Sequence, residues 1–517
     1  MPRCGPQTFM PPIPGAALHT ATGVDTIGDR AAQPVCAGGI GRGSYGMAKK
    51  ARTASRKTAA GAKLWHGRFE HSTAASVERF VESISFDRRL AKYDIAGSLA
   101  HAQMLRETGL LSAAELAAIR KGLGEIDRQI DAGRFPFDTS LEDIHMNIES
   151  ALIERTGAAG RKLHTARSRN DQIALDIRLW ARDECDAVAA AVVALQRALV
   201  AQAERHQGLV MPAYTHLQPA QPVLLAHVLL AYVEELARDV DRLSDTRSRV
   251  NVLPLGSGAV AGTTLAIDRE RVARLLGFAS VARNSIDATS DRDFLIELAF
   301  DLSMIAQHLS RWAEDWILWS TNEFRYFRIS DAYSTGSSMM PQKRNPDVLE
   351  LIRGKTARVY GDLVTLLVLV KGQPHAYNRD MQEDKPPVFD AADTVRGSLS
   401  MAAEIVCEGS FDGKRMLAAM KGGYCDATVL AEYLVERGEP FRNAHAVAGK
   451  AVAACAAQGI ELAEAPLRLL RQFSSRFDAD VAGYLGAENV VRRYRSFGSG
   501  GTRGVASEVR RWKRLLA

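Results

Sequence analysis

Four polar segments carry the side chains of this chain that could do chemistry, and long apolar stretches separate them. The first is Ser334-Thr-Gly-Ser-Ser-Met-Met-Pro-Gln-Lys-Arg-Asn-Pro346. Its small residues Gly336, Ser337 and Ser338 make a flexible loop rich in hydroxyls and backbone N–H groups. Lys343 and Asn345 follow, and Pro346 sits where a helix can start. Backbone amides, a helix N-terminus and a lysine together make an anion receptor. A serine in that field has its alkoxide favoured, so Ser337 could act as a general base. The competing reading is a polar connector ahead of a Pro-initiated helix.

The second segment, Leu163-His-Thr-Ala-Arg-Ser-Arg-Asn-Asp171, places two arginines two residues apart beside Ser and Asn. Guanidinium forks with a neutral amide suit a carboxylate, although a solvated turn before a helix would look the same. In the third, Tyr214-Thr-His-Leu-Gln-Pro-Ala-Gln-Pro222, His216 stands among hydroxyl and amide groups between prolines. It is a candidate acid or base, and a lone histidine is otherwise a hydrogen-bonded structural residue. The fourth, Tyr377-Asn-Arg-Asp-Met-Gln-Glu-Asp-Lys385, is dense in recognition-type side chains and could also be a solvated charge run.

The stretches between these segments must position them. From Asp171 to His206 there is no Pro and no Gly, and apolar residues recur at helical spacing. Similar runs are expected at Leu224–Val252, Asp291–Phe324, from Pro346 to Leu369, and from Ala391 to Glu408. All exceed the ~11–12 residues of an average helix. Apolar positions on more than one face predict a bundle of helices surrounded by helices, with subunits sharing the bundle as the favoured reading and a monomeric bundle as the competing one. Residues 64–165 and the last hundred alternate shorter helical patterns with loops. Ser112-Ala-Ala-Glu115 reads as a capping box.

Composition sets outer bounds. The 517 residues, 46% hydrophobic and 24% charged, are those of an ordinary globular protein of about three domains. The net charge of +6 is uneven: residues 1–63 hold nine basic and two acidic side chains, leaving −1 for the rest. A basic pI would hint at nucleic acid, but here the hint comes from the first 63 residues alone. That stretch lacks periodicity and reads as a disordered basic extension, a start upstream of a true start near Met47, or a transit peptide. Six scattered cysteines without metal-like spacing read as thiols of a reducing compartment. An apolar run such as Leu363 to Val370 is too short to span a membrane.

The segment Gly336-Ser-Ser-Met-Met-Pro-Gln-Lys-Arg-Asn-Pro346 resembles the signature loop of the fumarase/aspartase superfamily. With His164-Thr-Ala-Arg-Ser-Arg-Asn-Asp171, Thr215-His-Leu-Gln-Pro219 and Tyr377–Lys385, it is similar to the argininosuccinate lyase family, to which some lens crystallins are related. Leu64-Trp-His-Gly-Arg-Phe69, Glu142-Asp-Ile-His145, Pro254-Leu-Gly-Ser-Gly-Ala-Val-Ala-Gly262 and Asn284-Ser-Ile-Asp-Ala288 extend the likeness from about Leu64 to the C-terminus.

The resemblance implies a mostly α, three-domain subunit with a central long-helix bundle, divided at 64–165, 166–415 and 416–517. It implies a cytoplasmic homotetramer whose active sites are built from three subunits, with neither metal nor organic cofactor. The implied reaction is cleavage of argininosuccinate to arginine and fumarate. Ser337 would be the base, Lys343 with Asn345 would stabilise the dianionic intermediate, and His216 charged by Glu350 would be the acid. A second assignment makes His216 the base or its relay. Substrate contacts carry over to Ser83, Asp87, Arg169, Asn170, Thr215, Tyr377, Gln382 and Lys385, with Ser168 and His145 as neighbours. Met339 stands where Leu is common, a volume-conserving change. Alternatives are an adenylosuccinate lyase or aspartase, an inactive structural relative, and a helical protein that binds nucleic acid.

Overall fold

The computed structural model describes residues 73–517, so the basic extension and the Leu64–Phe69 motif lie outside the described residues. Eleven longer helices organise the rest: α1 (Ala91–Glu107), α2 (Ala113–Asp131), α3 (Ile144–Thr156), α4 (Arg169–Arg205), α5 (Leu225–Val250), α6 (Asp293–Ser320), α7 (Asp347–Val370), α8 (Lys385–Glu408), α9 (Ala427–Glu436), α10 (Phe441–Gln458) and α11 (Thr502–Leu515). Strands among the described residues are short and pair only in twos. The described part of the fold is mostly helical, as the periodicity predicts.

The centre is a bundle of α4 to α8. Helix α4 packs along α5 and α8, and α6 packs on α5, α7 and α8. With 37 residues, α4 is about 55 Å long. Its eleven residues from Asp171 to Ala181 are all buried, so this part is enclosed on every side. That explains its all-round apolar character and makes its buried polar residues, Asp171, Gln172, Asp176 and Arg178, expensive unless paired. Helix α1 packs on α4, and α2 packs in turn on α1 and α3. There Gly97 lets α1 approach closely, since a Cβ at that position would lie 2.7 Å from Leu175 Cδ2.

Helix boundaries follow local chemistry. Ser112 caps α2 in the expected box, accepting from Glu115 N while the Glu115 side chain receives Ser112 N–H. Helix α8 begins at Lys385 rather than Ala391, because Pro386 and Pro387 fall in its first turn, where a missing N–H costs nothing. Pro346 stands just outside α7, at its N-cap.

Helix α7 leaves an apolar face uncovered in the single chain. Leu349, Ile352, Val359 and Leu366 are buried, while Leu351, Tyr360, Val364, Leu367 and Val368 are exposed, as is Phe300 of the neighbouring α6. Most of the core is one continuous cluster that runs from Ile84 to Trp512. Residues Leu430 to Leu485 form a second cluster of their own, built on α9, α10 and the turns after them. Cys185, Cys407, Cys425 and Cys455 are free thiols. No helix of the described residues is long and apolar enough to cross a membrane.

Candidate active site

The small cavity against the N-terminal end of α4 gathers eight of the predicted substrate residues: Ser83, Asp87, His145, Arg169, Asn170, Tyr377, Gln382 and Lys385. Asp143, Ile173 and Arg379 complete its wall, and its volume is about 100 Å³. Its walls come from four stretches of chain that are distant in sequence.

The first wall is the short helix Ile84–Asp87. Ser83 Oγ donates to Asp87 Oδ2 at 2.6 Å, and the Ile144 amide donates to Asp87 Oδ1 at 3.1 Å. Burial pushes the Asp87 carboxyl up to about 6, against the opposing charge of His145. The second wall is the start of α3, where Asp143 is the N-cap and accepts from Met146 N. His145 Nδ1 lies 2.6 Å from Asp94 Oδ2 on α1 and 3.3 Å from Asp176 Oδ2 on α4. Burial disfavours a charged ring, yet the hydrogen bond and charge of Asp94 raise His145 to about 9.

The third wall is the first turn of α4. Ser168 and Asp171 form a reciprocal capping box that sets the direction of Arg169 and Asn170. Asp171 Oδ2 also accepts from Gly256 N at 3.0 Å and Gly258 N at 2.8 Å. Both glycines have positive φ, +92° and +59°, and a Cβ on Gly258 would lie 2.7 Å from the Gly262 carbonyl. The Pro254–Gly262 motif is therefore a fold of backbone wrapped on a buried carboxylate. It reaches the cavity through Asn170, whose Nδ2 donates to the Ala259 carbonyl at 3.2 Å. Arg169 is held by Asp143 at 3.0 Å.

The fourth wall is Tyr377 to Lys385. Lys385 Nζ donates to Asp384 Oδ1 at 2.8 Å, and buried Arg292 donates from Nε to Asp384 Oδ2 at 2.5 Å. Although burial opposes it, Lys385 and Arg292 hold the Asp384 carboxyl below its usual range. Gln382 Nε2 spans the carbonyls of Val81 and Glu82, each at 3.3 Å. Arg379 pairs with Glu142 at 2.6 Å. Burial raises the Tyr377 phenol, which keeps it a neutral donor. The cavity thus mixes fixed cations with fixed carboxylates, an environment for a ligand carrying both charges.

The other predicted residues lie elsewhere on the chain. Lys343, Asn345 and Glu350 line a separate, wide cleft with Arg325 and Arg328. Above it, β3 (Thr335–Gly336) and β4 (Arg344–Asn345) pair antiparallel and close the signature loop into a hairpin. Its base is pinned by a Thr335–Asp347 hydrogen bond and an Arg344–Asp331 ion pair. Ser337 Oγ accepts from the amides of Met339 and Met340 at 3.3 and 3.0 Å, so it is already surrounded by N–H donors. The tip is exposed, with Met339 86% accessible.

Thr215 and His216 stand exposed on a second hairpin, β1 (Val210–Thr215) with β2 (Gln218–Leu224), and line neither cavity. The two-residue turn takes His216 to φ +55° and Leu217 to φ +57°. A hairpin turn of this form normally uses Asn or Gly, so holding two bulky residues left-handed costs about 1–2 kcal/mol each. Strain of this kind is retained where a side chain must be aimed.

Sequence reasoning did not single out Asp143, Arg379, Asp94, Asp176 or Asp384 for roles at the site. Asp143 and Asp384 adjoin named motif residues. Asp94 and Asp176 sit inside helices with nothing local to mark them.

A long-helix bundle carries a polar cavity at one helix start and a Ser-rich loop at another, and a family match sets its class as a lyase. The lyase family model matches residues 67–361, and the model for the argininosuccinate lyase C-terminal region matches 424–492. The chain is 53% identical over 455 residues to argininosuccinate lyase of Moorella thermoacetica, covering 88% of this chain and 98% of that one. It is 51% identical over 454 residues to the chloroplastic argininosuccinate lyase of Arabidopsis thaliana, covering 88% of each. Among solved structures it is similar to an EDDS lyase in complex with formate, with a TM-score of 0.76 and 30% identity over 83% of this chain and 87% of that one. The chain belongs to the argininosuccinate lyase family.

Proposed function

We propose that the chain catalyses anti elimination of argininosuccinate to arginine and fumarate, as in arginine biosynthesis. The observation that carries this reading is the convergence of eight separately predicted side chains on one cavity. Elimination removes a Cβ proton, forms a carbanion delocalised into a carboxylate, and protonates the departing nitrogen. A dianionic centre needs fixed positive charge and aligned donors. Lys343, Asn345 and the amides around Ser337 are such a set, and Ser337 is the base in this scheme. His216, with Glu350, protonates the leaving nitrogen; reversal of the two roles is the second assignment. Arg169 and Lys385 bind carboxylates, Asp87 faces the guanidinium-bearing half, and Ser83, Asn170, Thr215, Tyr377 and Gln382 orient the substrate.

A cavity of about 100 Å³ is below the ~300 Å³ of an ordinary small-molecule site, so it seats one end of such a substrate. The rest of the site is supplied by a homotetramer in which loop, hairpin and cavity of different subunits meet. Support comes from the apolar face of α7, whose Leu351, Val364, Leu367 and Val368 are exposed in the single chain. The division at 64–165, 166–415 and 416–517 belongs to the same proposal, supported at its C-terminal end by the separate Leu430–Leu485 cluster. A cytoplasmic location accords with the free thiols.

An assay offering argininosuccinate, adenylosuccinate and aspartate in parallel tests the reading. Fumarate is expected from argininosuccinate; fumarate from only one of the other two would sink it.

A further inference from the structure

Behind the cavity lies a charged group of side chains that the reaction scheme does not use. Asp94 on α1, His145 on α3 and Asp176 on α4 meet in a space sealed from solvent, all three at most 2% exposed. A metal ion does not suit this geometry. Ligand atoms around tetrahedral zinc stand about 3.3 Å apart at bond lengths near 2.0 Å. The 2.6 Å from Nδ1 to Asp94 Oδ2 is instead the length of a charge-assisted hydrogen bond. Gln172 Nε2 donates to the same oxygen at 2.5 Å, which fixes the carboxylate from another side. Neither Asp176 oxygen has a hydrogen-bond partner, and its Oδ2 lies 3.3 Å from the imidazole Nδ1. With Nδ1 committed to the acids, Nε2 is the ring's remaining donor, and His145 lines the substrate cavity.

We propose that Asp94 is a positioning residue that holds His145 as an imidazolium, and that this buried charge keeps the adjacent Asp87 ionised to receive the cationic end of the substrate. The inference rests on the lyase reading for its substrate and on the cavity alone for its electrostatics. The charges facing this group come from every element packed on it: Asp94 from α1, Asp143 and Glu149 from the His145 helix itself, Arg167 and Asp176 from the α4 side, Asp87 from the short helix, and Lys385 from α8. Burial disfavours an Asp94 anion, but His145 and Arg167 outweigh it and hold Asp94 low, while burial and Asp94 push Asp176 high. One proton-bearing ring is thus matched to one carboxylate, and Asp176 is the more readily protonated of the two acids. Asp87 is the group balanced near working pH, at about 6, with His145 lowering it. Without the imidazolium, the Asp87 carboxyl would titrate higher and attract a cation less at the same pH.

The test compares wild type with Asp94→Asn and His145→Gln in argininosuccinate turnover from low to high pH. The acid limb of the KM profile is expected to move up by about one pH unit in both variants, which is about tenfold in KM at low pH. KM should recover toward wild type at high pH, and kcat should change little. A loss of kcat and folded protein at every pH, with the acid limb unmoved, would overturn the proposal and leave the triad structural. Where a variant does not fold, nitrogen chemical shifts of the histidines in the wild-type enzyme decide instead. His145 is expected to stay doubly protonated up to about pH 9; a neutral ring at pH 7 contradicts the proposal. Wild type that turns over no argininosuccinate would count against the lyase reading alone, and the histidine signal would still judge the triad.

Discussion

The cavity at the start of α4 and the two exposed hairpins differ in how completely a single chain builds them. In the cavity nearly every polar atom is already held. Asp87 takes two donors, Asp384 takes Lys385 and Arg292, and Arg169 lies on Asp143. The hairpins carrying Ser337 and His216 are solvent-facing, and the second is strained at its turn. Recognition is placed on rigid, buried helix starts that need no partner to hold their shape. In the proposed scheme, chemistry falls to segments that are exposed in the single chain. The split is physically sensible, because a fixed pocket lowers the entropy cost of binding while a mobile base can seal the reacting centre from water.

Substitutions should separate the two regions. The largest effect is expected at Ser337→Ala, with kcat down by about a thousandfold and KM nearly unchanged. Undiminished turnover would reject the base assignment and leave His216 as the candidate. Next comes Asp384→Asn, which leaves Arg292 and Lys385 buried together without a counter-charge. Breaking such a pair costs about 3–5 kcal/mol, visible as a large drop in the unfolding midpoint. An unchanged midpoint would show that the fourth wall is less rigid than its hydrogen bonds imply. Gly258→Ala should cost about 1–3 kcal/mol, since the residue is left-handed and its Cβ would meet a carbonyl. That change should raise KM through Asn170 more than it lowers kcat. Met339→Leu, at the exposed loop tip, should change stability by less than about 0.5 kcal/mol and leave kcat intact.

Much of this was readable from the chain. Unbroken 3.6-residue periodicity marked the bundle, and the long helices lie within a few residues of where it placed them. Two expectations fell short near prolines. The run beginning at Ala391 placed α8 late, although Pro386 and Pro387 occupy its first turn. Pro212, Pro219 and Pro222 concealed β1 and β2, since proline disfavours a central strand; both strands of an isolated hairpin are edges and tolerate it. At the site, motif residues were legible because unusual side chains cluster within a few positions. Asp94 and Asp176 were not, because an acid at one place in an amphipathic helix looks like any solvated residue until its neighbour from another helix is known. The pairing of Asp171 with Gly256 and Gly258 was hidden for the same reason, although Ser168-x-x-Asp171 carried a readable capping signal.

In the proposed tetramer one chain supplies the cavity while the chemistry comes to it from other copies. Mixing two inactive variants after denaturation and refolding tests it most directly. Ser337→Ala disables the loop and Arg169→Ala disables the cavity. If the two residues belong to sites shared between subunits, hybrids contain some sites with both residues intact, and lyase activity returns well above either parent. If each chain builds its own site, every site in every hybrid carries one defect, and activity stays at the parental level.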